Sequence, residues 1–323
     1  MGTYLGIDIG GTKTAVFLGN ERAETLARIE FATDHVGGPE TVLGDIERAA
    51  HQVCGQLGVT FDDLQGVGIS CGGPLDSATG VVLGPPNLPG WAEVPVVERV
   101  AAFTGLPTFL ENDANAGAVA EWRFGGGRGC RNVVFITAGT GLGCGLVLDG
   151  RLYSGTNDMA GEAGHVRLAP YGPEGYGKFG SFEGFCSGAG IAKLAARDLD
   201  AAARTGRRSS LFAVRSEREL TTRDVAEAAL AGDELAADVL RAAGEYLGRG
   251  LAILIDLLNP EVIVLGSLAV RLGERYLGPA REVIAREALS RAAQVCRIAP
   301  AELGERIGDV AALCVAMRLG RHD

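Results

Sequence analysis

The 323-residue chain has no CxxC pair, and its seven cysteines (Cys54, Cys71, Cys130, Cys144, Cys186, Cys296 and Cys314) are odd in number, so a disulfide scaffold is not expected. Long apolar runs are also missing. The longest, Leu251 to Leu258, is broken by Asp256 and falls short of a bilayer. Met1 to Asp8 shows no basic segment leading into an apolar stretch, so nothing marks export, and a soluble cytoplasmic protein without a membrane partner is expected. Basic residues are scarce beside acidic ones, 30 against 40, leaving a net charge of −10. Such a chain gains little from neutralising phosphates, so no nucleic-acid partner is expected. Its one basic cluster, Arg204, Arg207 and Arg208, reads as a solvated loop. Low hydrophobicity is absent too: 47% of residues are apolar, which excludes intrinsic disorder.

Glycine is abundant instead, at 49 residues, and it is bunched. Bunched glycine marks tight turns and places where backbone approaches a ligand. Tyr4 to Ile9 and Thr14 to Leu18 read as a strand hairpin around Gly10-Gly11-Thr12-Lys13, with a third strand at Leu26 to Phe31. Val42 to Leu57 carries helical spacing, and Val67 to Ser70 is a buried strand running into Cys71-Gly72-Gly73-Pro74. Three prolines make Gly84 to Gly90 a loop. Pro107 to Leu110 reads as a strand ending in Glu111-Asn112-Asp113, followed by a helix from Ala114 to Trp122. Near residue 130 the opening layout returns: a strand at Asn132 to Ile136, the turn Thr137 to Gly143, then a strand from Cys144 to Leu148. The repeat points to duplicated α/β halves. A glycine-rich loop region spans Gly155 to Gly190. An Ala/Arg-rich stretch follows, then helices from Thr222 to Leu258, a strand at Val262 to Leu265, and closing helices.

Asp8 ends a strand just before two glycines. In such a turn backbone N–H groups converge on phosphate oxygens and Thr12 adds a hydroxyl, while Asp8 is placed to hold Mg²⁺ through water. An ordinary hairpin turn is the plainer reading. The second turn, Thr137 to Gly145, shifts the balance, because two such turns behind buried strands resemble jaws around a phosphate chain. Neither is a Walker A loop. The nearest match, Gly172 to Phe179, has Phe179 where Ser or Thr is needed and follows no expected strand. Asp113 has the position of a base that takes a hydroxyl proton as the hydroxyl attacks phosphorus; a helix N-cap is the competing role for this polar cluster. Glu162, His165 and Glu183 lie among small residues and suit sugar hydroxyls, though each alone is an ordinary surface or core group.

Asp8-x-Gly10-Gly11-Thr12-Lys13, Glu111-Asn112-Asp113, Thr137 to Gly143 and Glu162-x-Gly164-His165 resemble, in this order and spacing, the motifs of the ROK family. That family groups bacterial glucokinases, other hexose and N-acetylhexosamine kinases, and sugar-responsive repressors. The resemblance covers essentially the whole chain. It implies an α/β fold of two ribonuclease-H-like lobes with the actin-like ATPase architecture and an interlobe cleft. The expected lobes are 1–115, completed by a C-terminal helix at 306–323, and 116–305. It further implies Asp113 as base, and Asn87, Asn112, Asp113, Glu162, His165 and Glu183 on the sugar. Gly10, Gly11, Thr12, Lys13, Gly139, Thr140 and Gly141 would serve the phosphates, and Gly266 the adenosine. ATP and Mg²⁺ are the implied cofactors, a hexose the substrate (glucose first), and a homodimer the expected assembly. The repressors carry an added N-terminal DNA-binding domain, for which the seven residues before Asp8 leave no room.

One departure stands out. The family's zinc stretch reads Cys-x-Cys-Gly-x-x-Gly-Cys-x-Glu, whereas Glu174, Tyr176 and Ser181 occupy the three cysteine positions here. His165 alone does not make a structural zinc site, so none is expected, with Glu174 and Cys186 as the replacement ligands if one exists. The aromatic residues Tyr171, Tyr176, Phe179, Phe182 and Phe185 are expected to order the loop by burial instead.

Overall fold

The computed structural model describes residues 2–320. Along the chain, β1 (Thr3–Ile9), β2 (Lys13–Asn20) and β3 (Thr25–Ala32) form an antiparallel ladder, and α1 (Gly38–Leu57) follows. Next come β4 (Leu64–Cys71), the small hairpin β5 (Leu75–Asp76) and β6 (Val81–Val82), α2 (Val96–Thr104), β7 (Thr108–Asn112) and α3 (Asp113–Phe124). The pattern then restarts with β8 (Val133–Ala138), β9 (Leu142–Leu148) and β10 (Arg151–Leu152). A second small hairpin, β11 (Glu174–Gly175) and β12 (Lys178–Phe179), leads to α4 (Phe182–Cys186). Helices α5 (Gly188–Thr205), α6 (Leu211–Glu217), α7 (Thr222–Leu230) and α8 (Glu234–Leu258) precede β13 (Val262–Leu265). The chain closes with α9 (Leu268–Leu272), α10 (Glu274–Glu287), α11 (Ser290–Val295), β14 (Arg297–Pro300) and α12 (Ile307–Ala316).

Two five-stranded sheets result, ordered β3-β2-β1-β4-β7 and β10-β9-β8-β13-β14. In both, a three-strand run continuous in sequence is extended by two later strands. This is the duplication read from the two glycine-rich turns. In the first sheet β1, β4 and β7 are parallel. Period-two alternation decides which face each side chain covers. Leu5, Ile7, Ile9, Val16 and Leu18 pack under α1, whose Val42, Ile46, Ala49, Ala50 and Val53 recur at helical spacing. Ala15 and Phe17 turn to the opposite face, against Ala116, Val119 and Ala120 of α3 and Val310 and Leu313 of α12. Helix α12 reaches the sheet because β4 carries Gly68, where a Cβ would lie 2.1 Å from the Ala312 carbonyl oxygen.

The chain divides into two compact units. The first comprises the N-terminal segment to Val133, Gly145–Gly161 and the segment from Glu302; the second comprises Val134–Cys144 and Glu162–Ala301. The first unit therefore runs past residue 115, because α3 packs on α12 and on its own sheet. Two regions have more structure than their sequence indicates. The stretch after Gly190 is helical (α5 and α6), and β14 adds an edge strand, parallel to β13, within the expected closing helices. Among the described residues no helix is long and apolar enough to cross a membrane.

Candidate active site

In the first unit, register alone gathers the polar residues at one sheet end. Asp8 pairs with Ser70 and Ser70 with Glu111, while Ile9, Cys71 and Asn112 form the next row. These are the carboxyl ends of parallel strands, where α/β sheets bind ligands. Burial, then the charge of Asp113, and more weakly that of Asp309, push the Asp8 carboxyl up to about 6 against a hydrogen bond from Ser70. Asp309, in the first turn of α12, accepts from Thr25 Oγ1 (3.0 Å) and Arg28 Nε (3.2 Å). The preceding residue must be glycine: a Cβ on Gly308 would sit 2.3 Å from Asp8 Oδ2.

Asn112 is the N-cap of α3. Its Oδ1 accepts from the N–H groups of Ala114 (2.9 Å) and Asn115 (3.2 Å), which leaves Nδ2 to donate elsewhere. Asp113 also accepts the Ala114 N–H, through Oδ1 at 2.8 Å. Its side chain is open to solvent, yet protein crowds the carboxyl and desolvation raises its pKa above the ordinary 3.8. Asn112 thus takes the capping role, and Asp113 is held through one oxygen, with Oδ2 outside the cap. Asn87 is exposed and its backbone packs on the first turn, where a Cβ on Gly11 would approach its carbonyl oxygen to 2.6 Å. A Cβ on Gly73 would lie 3.0 Å from Asn112 Nδ2, so Gly72 and Gly73 bring Asn87 and Asn112 to the same strand end.

The first turn is tied from behind: Gly10 N–H donates to the Lys13 carbonyl (3.1 Å), and Thr33 donates its N–H to Thr12 and its hydroxyl to Gly10. Lys13 pairs with Glu30 at 2.9 Å, so backbone N–H groups and the exposed Thr12 side chain are what the turn presents. Asp8 fits a divalent cation held through water, because its negative charge has two further carboxylates near it and a guanidinium, that of Arg28, already shared with Glu30 and Asp309.

In the second unit, Gly139, Thr140 and Gly141 are exposed at the β8–β9 turn. Glu162, just before the turn Ala163–His165, and His165, its last residue, are exposed, and Glu183 is half-buried in the first turn of α4. Gly266 is buried after β13, its N–H donating to the Ile136 carbonyl. Ser267 next to it holds φ 49°, ψ −105°, a strained conformation for a residue with a side chain, 3.4 Å from the Thr137 hydroxyl.

The residues at the family's zinc positions do not fit that metal. Ser181 is buried and its hydroxyl caps α4 by accepting from Gly184 N–H. Tyr176 lies edge-on to His165. Cys186 is buried, its thiol pKa pushed well up by desolvation, and it donates to the Ala243 carbonyl. Among the described residues no three His, Cys, Asp or Glu side chains form a metal-ligating group. The aromatic expectation for this loop needs correction. Phe182 and Phe185 are 1% exposed, but Tyr171, Tyr176 and Phe179 are 87%, 67% and 59% exposed. Cations tie the loop as well: Lys178 Nζ donates to the His165 carbonyl, Arg167 to that of Phe179 and Lys193 Nζ to that of Glu174, at 2.6 to 2.8 Å.

Two sheets of repeated order, with glycine turns after their first strands and polar residues at the strand ends, make up an actin-like ATPase fold. Within that class the chain belongs to the ROK family, whose model matches residues 4–318. A glucokinase from Halalkalibacterium halodurans is 33% identical over 94% of this chain and 92% of its own length. The crystal structure of a ROK family glucokinase from Streptomyces griseus in complex with glucose and AMPPNP superposes with a TM-score of 0.79 at 32% identity, covering 98% of this chain and 100% of that one. The DNA-binding transcriptional repressor Mlc of Escherichia coli is 32% identical over 64% of this chain and 49% of its own length.

Proposed function

We propose that this protein transfers the γ-phosphoryl group of ATP to the 6-hydroxyl of a hexose, glucose before others. The observation that carries the reading is the state of Asp113: one carboxylate oxygen is fixed by the Ala114 N–H, the side chain is open, and its proton affinity is raised. Such a carboxylate takes the hydroxyl proton as the hydroxyl oxygen bonds to phosphorus and the bond to ADP breaks. Asn112, through Nδ2, and Asn87 orient the sugar from the same strand end, with Glu162, His165 and Glu183 as its further contacts. The two glycine turns and Gly266 hold the nucleotide. Asp8 would hold Mg²⁺ through water, and the ion would supply positive charge for the phosphate oxygens. Similarity to glucokinases, one of them complexed with glucose and AMPPNP, supports the sugar and the nucleotide.

A coupled ADP-release assay with glucose, fructose, mannose, allose, N-acetylglucosamine and N-acetylmannosamine tests this. Glucose should give the highest kcat/KM. A tenfold preference for another sugar would reassign the substrate, and no hexose-dependent ADP from any of them would sink the kinase reading.

The loop needs no zinc on this account. Elemental analysis of purified protein should find well under one zinc per chain, and activity should survive prolonged chelation once Mg²⁺ is restored. A stoichiometric zinc whose removal abolishes activity would contradict this.

A further inference from the structure

Glu183 does more in this structure than face a sugar. Its Oε2 accepts the Leu142 N–H at 2.9 Å, across 41 residues, and Leu142 directly follows the Gly139–Gly141 turn. The fit there is close: a Cβ on Gly141 would stand 2.8 Å from that same oxygen. The Glu162–His165 motif packs on the same spot, since a Cβ on Gly164 would lie 2.7 Å from the Leu142 carbonyl oxygen and 3.4 Å from Glu183 Cβ. On the other side Gly188 N–H donates to the Gly139 carbonyl (2.8 Å), and the Thr222 hydroxyl in turn donates to the Gly188 carbonyl (2.6 Å). A turn containing two glycines loses much chain freedom when it is ordered, yet its N–H groups help a phosphate only if they already point at it.

We infer that Glu183 is a positioning residue for the nucleotide: its carboxylate sets the Gly139–Leu142 turn and links that turn to the loop bearing Glu162 and His165. The inference rests on the sugar-kinase reading of the site. With Oε2 committed to Leu142, Oε1 is left for a sugar hydroxyl, so one side chain serves both ligands. Linkage then requires that sugar strengthen nucleotide binding and nucleotide strengthen sugar binding by the same factor.

The test is calorimetric titration of the full chain with Mg-AMPPNP and with glucose, each alone and each in the presence of the other, alongside hydrogen exchange at the Leu142 amide. Glu183→Ala should weaken Mg-AMPPNP by about tenfold, the scale of one hydrogen bond to a charged group, and speed Leu142 exchange. Glu183→Gln should recover much of that loss, because its amide oxygen still accepts the Leu142 N–H. Gly141→Ala is the second approach. Its added methyl displaces Oε2 from the Leu142 N–H without altering Glu183, so Leu142 exchange should speed and the coupling between glucose and Mg-AMPPNP should fall. If Glu183→Ala lowers glucose affinity only, with Mg-AMPPNP affinity and Leu142 exchange as in the wild type, Glu183 is a sugar ligand and the inference is overturned. Failure of the underlying reading looks different: the wild-type protein itself would bind neither ligand.

Discussion

Asp113→Asn is expected to lower kcat by about 10² to 10⁴, the contribution of a general base, while the dissociation constant for the sugar changes by no more than a few-fold. The asparagine Oδ1 can still accept the Ala114 N–H, and Asn112 still caps α3, so the first turn of the helix keeps its bonds. The site is lost as a proton acceptor and retained as a shape. Steady-state kinetics and calorimetry on the same preparation separate the two. A kcat within a few-fold of wild type would remove Asp113 from the mechanism, and an equal collapse of sugar affinity would make it a binding residue.

Asp8→Asn should give a more stable and nearly inactive enzyme. The folded-state pKa of Asp8, about 6, lies above its ordinary 3.8, so between those values the folded protein binds more protons than the unfolded one. Stability therefore falls as pH rises through that window, and above pH 6 the ionised carboxylate is a standing cost of about 3 kcal/mol at most. Asparagine removes the charge that burial, Asp113 and Asp309 oppose. At pH 7.5 denaturant unfolding should show a gain of about 1 to 3 kcal/mol that shrinks as pH drops toward 4. The same substitution should raise the KM for MgATP and depress kcat, with sugar affinity little changed. A destabilised variant at pH 7.5 would show that the Asp8 carboxylate is well solvated or already paired. This pattern, a site residue that weakens the fold it serves, is what function commonly demands of buried charge.

Much of this arrangement could be read from sequence because it is local. The Asp8 to Lys13 hairpin, its second copy after β8, and the step from β7 into α3 are short segments whose spacing names their own geometry. The parallel pairing of β1, β4 and β7 then brings Asp8 and Asn112 to the same end of the sheet, with β4 between them. What escaped is contributed from far along the chain. Asp309 and Gly308 shape the environment of Asp8 from some 300 residues away, and nothing in Ile307-Gly308-Asp309 announces it. Ser267 carries no sequence signal, because serine is not the residue that positive φ selects. Glu183 was legible as a polar residue among small ones, but its bond to Leu142 belongs to the packing of α4 on the turn. The exposed Tyr171, Tyr176 and Phe179 show the limit of composition: of the five aromatic residues read as the core of this loop only Phe182 and Phe185 are buried, and lysine and arginine side chains reaching backbone carbonyls add further ties.

On the proposed reading this site moves the γ-phosphoryl group of ATP onto a sugar hydroxyl. Phosphorus NMR of purified protein incubated with glucose and MgATP tests it directly. The account predicts that the γ signal of ATP is replaced by ADP and by one phosphomonoester coupled to the two protons of the sugar's C6, and that omission of sugar stops the conversion. Inorganic phosphate as the only new product, or ATP left intact with every hexose offered, would contradict it.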